Sequence, residues 1–211
     1  MKIKTLVLSP FDVNTYIVSD ETGECVIIDP ACYNSEENEI LSDYIKSNNL
    51  KPVKLLNTHC HLDHVFGNKY ISDTYNLNSE SNINDLFLIE NFTKTVSMYG
   101  LKASNPYKPG SFIDESNIIK FGNSELNILH IPGHSPGSIV FYNEKDKFAI
   151  VGDVIFAQSI GRTDLPGGNY ETLISGIKTK LFKLDNNLVL FPGHGPSTTI
   201  GTEKRENPFL K

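Results

Sequence analysis

The stretch "THCHLDH", residues 58–64, holds three of the chain's six histidines, His59, His61 and His64, with Asp63 among them. Three further places share its design. "LNILHI" runs into "PGH" at His134, "FAIV" into "GD" at Asp153, and "LVLF" into "PGH" at His194. In each case an apolar strand ends in a Gly-, Pro- or polar-marked turn that presents a His or Asp. Ligands in strand-rich α/β folds gather where strands end, and such turns bend the backbone sharply toward one place. If the four strand ends lie together, His59, His61, Asp63, His64, His134, Asp153 and His194 converge: five imidazoles and two carboxylates. A catalytic zinc takes three protein ligands and keeps one position open. Seven donors are too many for one metal and suit two, provided one carboxylate bridges. His59 and His61 are two apart and project to one side of extended backbone. Asp63 and His64 follow the turn and reach toward a second ion. Two ions about 3.5–4 Å apart hold a bridging hydroxide and polarise a carbonyl, so the chemistry implied is hydrolysis without a covalent enzyme intermediate.

Strands and helices must carry these turns. "IKTLVLS", "NTYIVSD" and "ECVIIDP" read as strands, the last closed by Asp-Pro. "SEENEILSDYIKSNN" has Ile40, Leu41, Tyr44 and Ile45 at helical spacing behind Ser35 as the candidate N-cap. "VKLLN" is a short buried strand. "INDLFLIENFTKTVSMYG" is predicted to be one helix ending at Gly100, with apolar positions 86, 89, 92 and 96 on one face. In the second half, strands are expected at "ELNILHI", "SIVFY", "KFAIVG" and "LVLF". Helices are expected over "NYETLISGIKTKLFKL" and residues 200–206. Alternating strands and helices suggest sheets covered by helices.

The 211 residues suffice for one domain with a substantial core. Hydrophobic residues at 39% and charged residues at 21% describe an ordinary globular chain. The net charge of −6 and scattered lysines argue against nucleic acid as a partner. No apolar run approaches the roughly 18 residues that span a membrane, and the N-terminus lacks a signal-peptide pattern. A cytoplasmic protein acting on a small molecule is the expectation. Three cysteines at irregular spacing imply no disulfide framework.

"THCHLDH" followed by His134, Asp153 and His194 resembles the H-x-H-x-D-H signature of the metallo-β-lactamase fold superfamily, over essentially the whole chain. "PGHSPGS", "GRTDLPGG" and "FPGHGPSTTIGTEKRENPF" bring the resemblance closer to the short, single-domain glyoxalase II-like hydrolases. The resemblance implies an α/β (α+β) fold, a four-layer αββα sandwich with a metal site along one edge. It implies that His59, His61 and His134 bind a first divalent ion, that Asp63, His64 and His194 bind a second, and that Asp153 bridges. It makes Asp29 a support of the metal-binding loop; Asp63, by its position, is expected also to orient the hydroxide or relay a proton. Two ions are expected, zinc first, with iron or manganese compatible with the same donors.

Two-domain glyoxalase II enzymes carry a C-terminal helical extension for glutathione, and residues 1–211 are expected to form a single domain without it. The loop "SIGRTDLPGG" also departs from those enzymes, and its "GRTD" is shared with persulfide dioxygenases built around one iron. The leading expectation is hydrolysis of a thioester such as S-lactoylglutathione, because a thiolate of pKa about 8.5 leaves without a dedicated acid. A mononuclear iron persulfide dioxygenase, a lactonase-like hydrolase of the same superfamily and a non-enzymatic metal-binding module are the alternatives. Arg162 admits two roles, clamping a substrate carboxylate or pairing with Asp164. Phe66 and Phe156 are candidates for a pocket wall and equally for core packing. Cys25, Cys32 and Cys60 read as buried packing groups, and His130 as a structural histidine.

Overall fold

Side chains alternate across a strand, and here both faces of the central strands are apolar, so both must be covered. The computed structural model describes residues 1–211. In chain order it forms β1 (Lys2–Leu8), β2 (Val13–Ser19), β3 (Glu24–Ile28), α1 (Ser35–Ser47), β4 (Lys51–Leu56), a 3-10 turn (Leu62–Val65) and α2 (Asn68–Tyr75). There follow β5 (Ser79–Ser81), a 3-10 turn (Ile83–Asp85), α3 (Leu86–Glu90), α4 (Phe92–Met98), β6 (Ser111–Phe112), β7 (Ile119–Phe121), β8 (Ser124–His130) and β9 (Ile139–Asn143). The chain closes with β10 (Phe148–Gly152), the small hairpin β11 (Ile155–Phe156) and β12 (Ser159–Ile160), α5 (Tyr170–Thr179), β13 (Val189–Pro192), β14 (Thr198–Thr199) and α6 (Ile200–Glu206).

One six-stranded sheet runs β1-β2-β3-β4-β5-β6 and the other β14-β13-β10-β9-β8-β7. Tyr16, Val18, Val26, Ile28 and Leu56 of the first sheet meet Leu126, Ile128, Ile139, Phe141, Phe148 and Ile150 of the second in a buried layer. Their alternate neighbours point outward. Ile17, Cys25, Ile27 and Leu55 pack with Leu41 and Ile45 of α1 and Ile71 of α2. Val140, Ala149, Val151 and Leu190 pack with Leu173 and Ile177 of α5 and Ile200 of α6. Helix, sheet, sheet, helix is the expected αββα sandwich. No helix is long and apolar enough to cross a membrane.

Local details differ from the sequence expectations. Asn34, not Ser35, caps α1: its backbone is extended and its Oδ1 accepts from the Glu37 N–H at 2.9 Å. Asparagine one residue earlier takes the acceptor role that serine would fill. The single helix expected to end at Gly100 is divided at Asn91 into α3 and α4. There the Asn91 side chain donates to the Phe87 carbonyl at 2.8 Å, a local bond that competes with helix continuation. Ile89, Phe92 and Val96 still share one buried cluster, as the spacing required.

Candidate metal centre

Strands β3, β4, β8, β10 and β13 deliver their following turns to one end of the sandwich. The parallel pairs β3–β4 and β10–β13 account for four of the five, because parallel neighbours finish at the same end. After β4 the chain stays extended through His59 to His61 and then turns tightly. The His64 N–H bonds the His61 carbonyl at 3.1 Å, which sets Asp63 and His64 on a 3-10 turn beside the extended pair.

Each imidazole is oriented by the nitrogen it turns away from the centre. His134 Nδ1 donates to the Arg162 carbonyl at 2.8 Å and His194 Nδ1 to the Phe11 carbonyl at 2.9 Å. Carbonyls only accept, so both rings carry their proton on Nδ1 and expose a bare Nε2. His64 Nδ1 lies 3.0 Å from Asp29 Oδ2. Thr58 Oγ1 gives its proton to Asp29 Oδ2 at 2.6 Å and therefore accepts from His59 Nδ1 at 3.1 Å. His61 is the exception, turning Nδ1 toward the others.

The bare nitrogens crowd together. His134 Nε2 is 3.2 Å from His59 Nε2 and 2.8 Å from His61 Nδ1. With the protons assigned as above, the first contact sets lone pair against lone pair, which is repulsive unless a cation lies between. Tetrahedral zinc, with Zn–N of about 2.0–2.1 Å, places its nitrogens about 3.3 Å apart. The second group is Asp63, His64 and His194. Asp63 Oδ2 stands 3.8 Å from His64 Nε2 and 3.5 Å from His194 Nε2. Within each group of three the donor atoms lie inside 4.8 Å of one another.

Asp153 sits between the groups. Its Oδ2 is 3.5 Å from His134 Nε2 and 3.6 Å from His194 Nε2, and its Oδ1 is 3.4 Å from His64 Nε2. His64 Nε2 and Asp153 Oδ1 are buried without a hydrogen-bond partner. Gly193 leaves the space they face: a Cβ there would strike Asp153 Oδ1 and the His64 ring. Buried polar atoms without partners are rare, and here they fit divalent cations held by nitrogen and carboxylate donors. Asp29, His59 and His64 also form a close group, but Asp29 is already engaged by the Thr58 N–H at 2.7 Å, by Thr58 Oγ1 and by His64. Asp29 is thus an anchor, held in the left-handed region at φ 50°, a backbone conformation uncommon outside glycine.

The electrostatics divide along the same line. Burial and the surrounding imidazoles push His59 well below its ordinary value, and burial with His134 beside it takes His61 down to about 3. Burial opposes the charge on His64 too, yet Asp153 and Asp63 raise it well above its ordinary value. Against its own burial, Asp153 is held low by His64, His134 and His194. Asp63 is likewise lowered despite burial, by His64 and His194.

A cavity of about 300 Å³ opens against the donors. Phe11, Leu88, Phe92, Tyr99 and Leu165 form its apolar side, and Arg162 lies at its wall. The Arg162 guanidinium is held by Asp164 through bonds of 2.7 and 2.8 Å. Of its two expected roles, the structure shows the pairing. Phe66 is not a wall residue: it is buried against Phe11, Tyr33 and Phe92 in the layer behind. Phe156 stands outside the lining too, its ring centroid 6.2 Å from that of His194. The wall comes instead from Phe92 and Tyr99, at the two ends of α4, and from Phe11, which no motif marked. His130 is apart from the donors, with Nε2 donating to the Pro136 carbonyl at 2.8 Å. Cys25, Cys32 and Cys60 are buried and free.

Residues 8–194 match the family model described as the metallo-beta-lactamase superfamily. The chain is 40% identical over 212 residues to hydroxyacylglutathione hydrolase GloC of Haemophilus influenzae, covering 100% of this chain and 98% of that protein. Its fold matches the crystal structure of BLEG-1 B3 metallo-beta-lactamase with a TM-score of 0.92 at 32% identity, covering 100% of both chains. It matches TTHA1623 in a di-iron-bound form with a TM-score of 0.88 at 34% identity, covering 98% of this chain and 100% of that one.

Proposed function

The chain belongs to the metallo-beta-lactamase superfamily, and from that premise we propose that it is a two-metal hydrolase of small-molecule thioesters, of the hydroxyacylglutathione type. The observation that carries the reading is the pair of donor groups sharing Asp153. His59, His61 and His134 would hold one divalent ion, Asp63, His64 and His194 the other, with Asp153 between them. When bound, such ions supply Lewis acidity that polarises a carbonyl and lowers the pKa of water.

The protein's own groups fit that task. Asp63 lines the cavity and is held ionised, so its carboxylate would orient the attacking water by accepting a hydrogen bond from it. Asp29, the Arg162 carbonyl and the Phe11 carbonyl fix three rings so that the donors need not reorganise during reaction. Both carboxylates lining the cavity, Asp63 and Asp153, are held low, which suits a leaving thiolate that departs without a proton. The similarity to the Haemophilus influenzae hydrolase supports the thioester class. Imidazole and carboxylate donors support zinc, and the relative in di-iron form supports iron at the same positions.

The test is hydrolysis of S-lactoylglutathione by purified protein loaded with zinc or iron, with metal content and oxygen uptake measured alongside. Turnover that scales with two bound ions and stops with a chelator is expected. Bound metal without thioester cleavage, together with oxygen uptake on a persulfide by the iron form, would overturn the reading in favour of the dioxygenase chemistry.

A further inference from the structure

We propose that Asp85 is the positioning residue of the first donor group, fixing the His59–His61 turn and the His134 turn to each other through one carboxylate. The inference rests on the two-metal reading above. Asp85 is fully buried at the end of the 3-10 turn before α3, some fifty residues from the His134 turn. Its Oδ2 accepts from the Cys60 N–H at 2.9 Å and from Ser135 Oγ at 2.8 Å. Its Oδ1 accepts from the Gly137 N–H at 2.6 Å. Cys60 lies between His59 and His61, and Ser135 follows His134. A Cβ on Gly137 would run into the Asp85 carboxylate, so the His134 turn closes on it as tightly as backbone allows.

No cation pairs with this carboxylate; every bond it accepts comes from a neutral donor on a ligand-bearing turn. A buried charge without a counter-ion is costly, and at this site what the charge holds together is the geometry of three imidazoles. Asp29 anchors the other group at His64 and reaches the first only through Thr58, whose Oγ1 meets His59 Nδ1. Asp85 bonds only the turns that carry His59, His61 and His134, so a change there separates the first group from His64 and His194.

In Asp85→Asn the amide nitrogen must face an N–H or O–H donor, leaving at least one of the three bonds unmade. Metal-stripped wild type and D85N would be titrated with zinc against a chromophoric chelator. Nitrogen-15 NMR of the histidine rings assigns each equivalent, and thermal melts are recorded in parallel. Wild type should take two equivalents. In D85N the equivalent that shifts His59, His61 and His134 should weaken about 10–100-fold, the range for loss of a ligand's supporting contact. The equivalent at His64 and His194 should change little. A D85N protein that melts lower yet binds both equivalents as wild type does, or weakens both alike, overturns the inference alone. A wild type that takes fewer than two equivalents overturns the two-metal reading first. Should D85N not fold, Ser135→Ala removes one of the three bonds. A smaller loss at the same three rings is expected, and equal binding at both groups would count against Asp85.

Discussion

His61 and His64 respond to protons in opposite senses. The folded value of His61, down to about 3 from 6.5, means that between those pH values the unfolded chain binds a proton the folded chain refuses. Its contribution is complete above 6.5 and lost as pH falls toward 3. His59 acts in the same direction. His64, raised by Asp153 and Asp63 over the opposing effect of burial, contributes fully below 6.5 and loses that contribution as pH rises through its folded value. Metal-stripped protein should therefore melt highest near pH 6.5. In His61→Asn the decline on the acid side should be shallower, and melting curves in chelator across that range check it. Arg162 gives a second prediction. Its guanidinium is exposed and bound to Asp164 at 2.7 and 2.8 Å, and such pairs contribute little. Arg162→Ala should change kcat/KM by less than about fivefold, whereas a rise in KM beyond about tenfold at constant kcat would restore the carboxylate clamp.

At the scale of elements, the turn after β13 is the most sensitive. Gly193→Ala would push a methyl into Asp153 Oδ1 and the His64 ring. The variant is expected to keep its secondary structure by circular dichroism and to lose most of its bound metal; retained metal would show that the turn relaxes. The N-terminus of α1 is tuned separately. Asn34→Ala removes the acceptor for the Glu37 N–H and should cost about 1 kcal/mol, lowering Tm by roughly 2–4 °C in a chain of this size, with activity unchanged. Long strands and amphipathic helices were legible because their period is written over many residues, as in β2, α1 and α5. The shortest elements were not: β5, β6 and β7 have three residues or fewer. Strands β5 and β6 pair parallel at a sheet edge over two residue pairs each, too few for alternation to register. The break at Asn91 was invisible for another reason, since the apolar spacing runs through it.

For the whole molecule, bound metal should act as a stabiliser, because the unfolded chain cannot assemble donors that lie on four separate turns. Free zinc at about a hundred times its dissociation constant adds about 2.7 kcal/mol per site, which corresponds to roughly 5–10 °C in Tm. Melting with and without chelator measures it, and no shift would speak against the centre as a metal site. The sequence by itself determined the sandwich and the candidate donors. Apolar alternation fixes which faces must be buried, and His or Asp at four strand ends is readable because ligand chemistry restricts residue type. Only the tertiary structure decided the rest. It set the distances among the donors around Asp153, gave Arg162 to Asp164, moved Phe66 into the packed layer, and brought Asp85 beneath two turns remote from it in sequence. Those are contacts between distant segments. A hydrogen bond or a cavity wall depends on which side chains meet when the sheets close, and local composition carries no record of that distance.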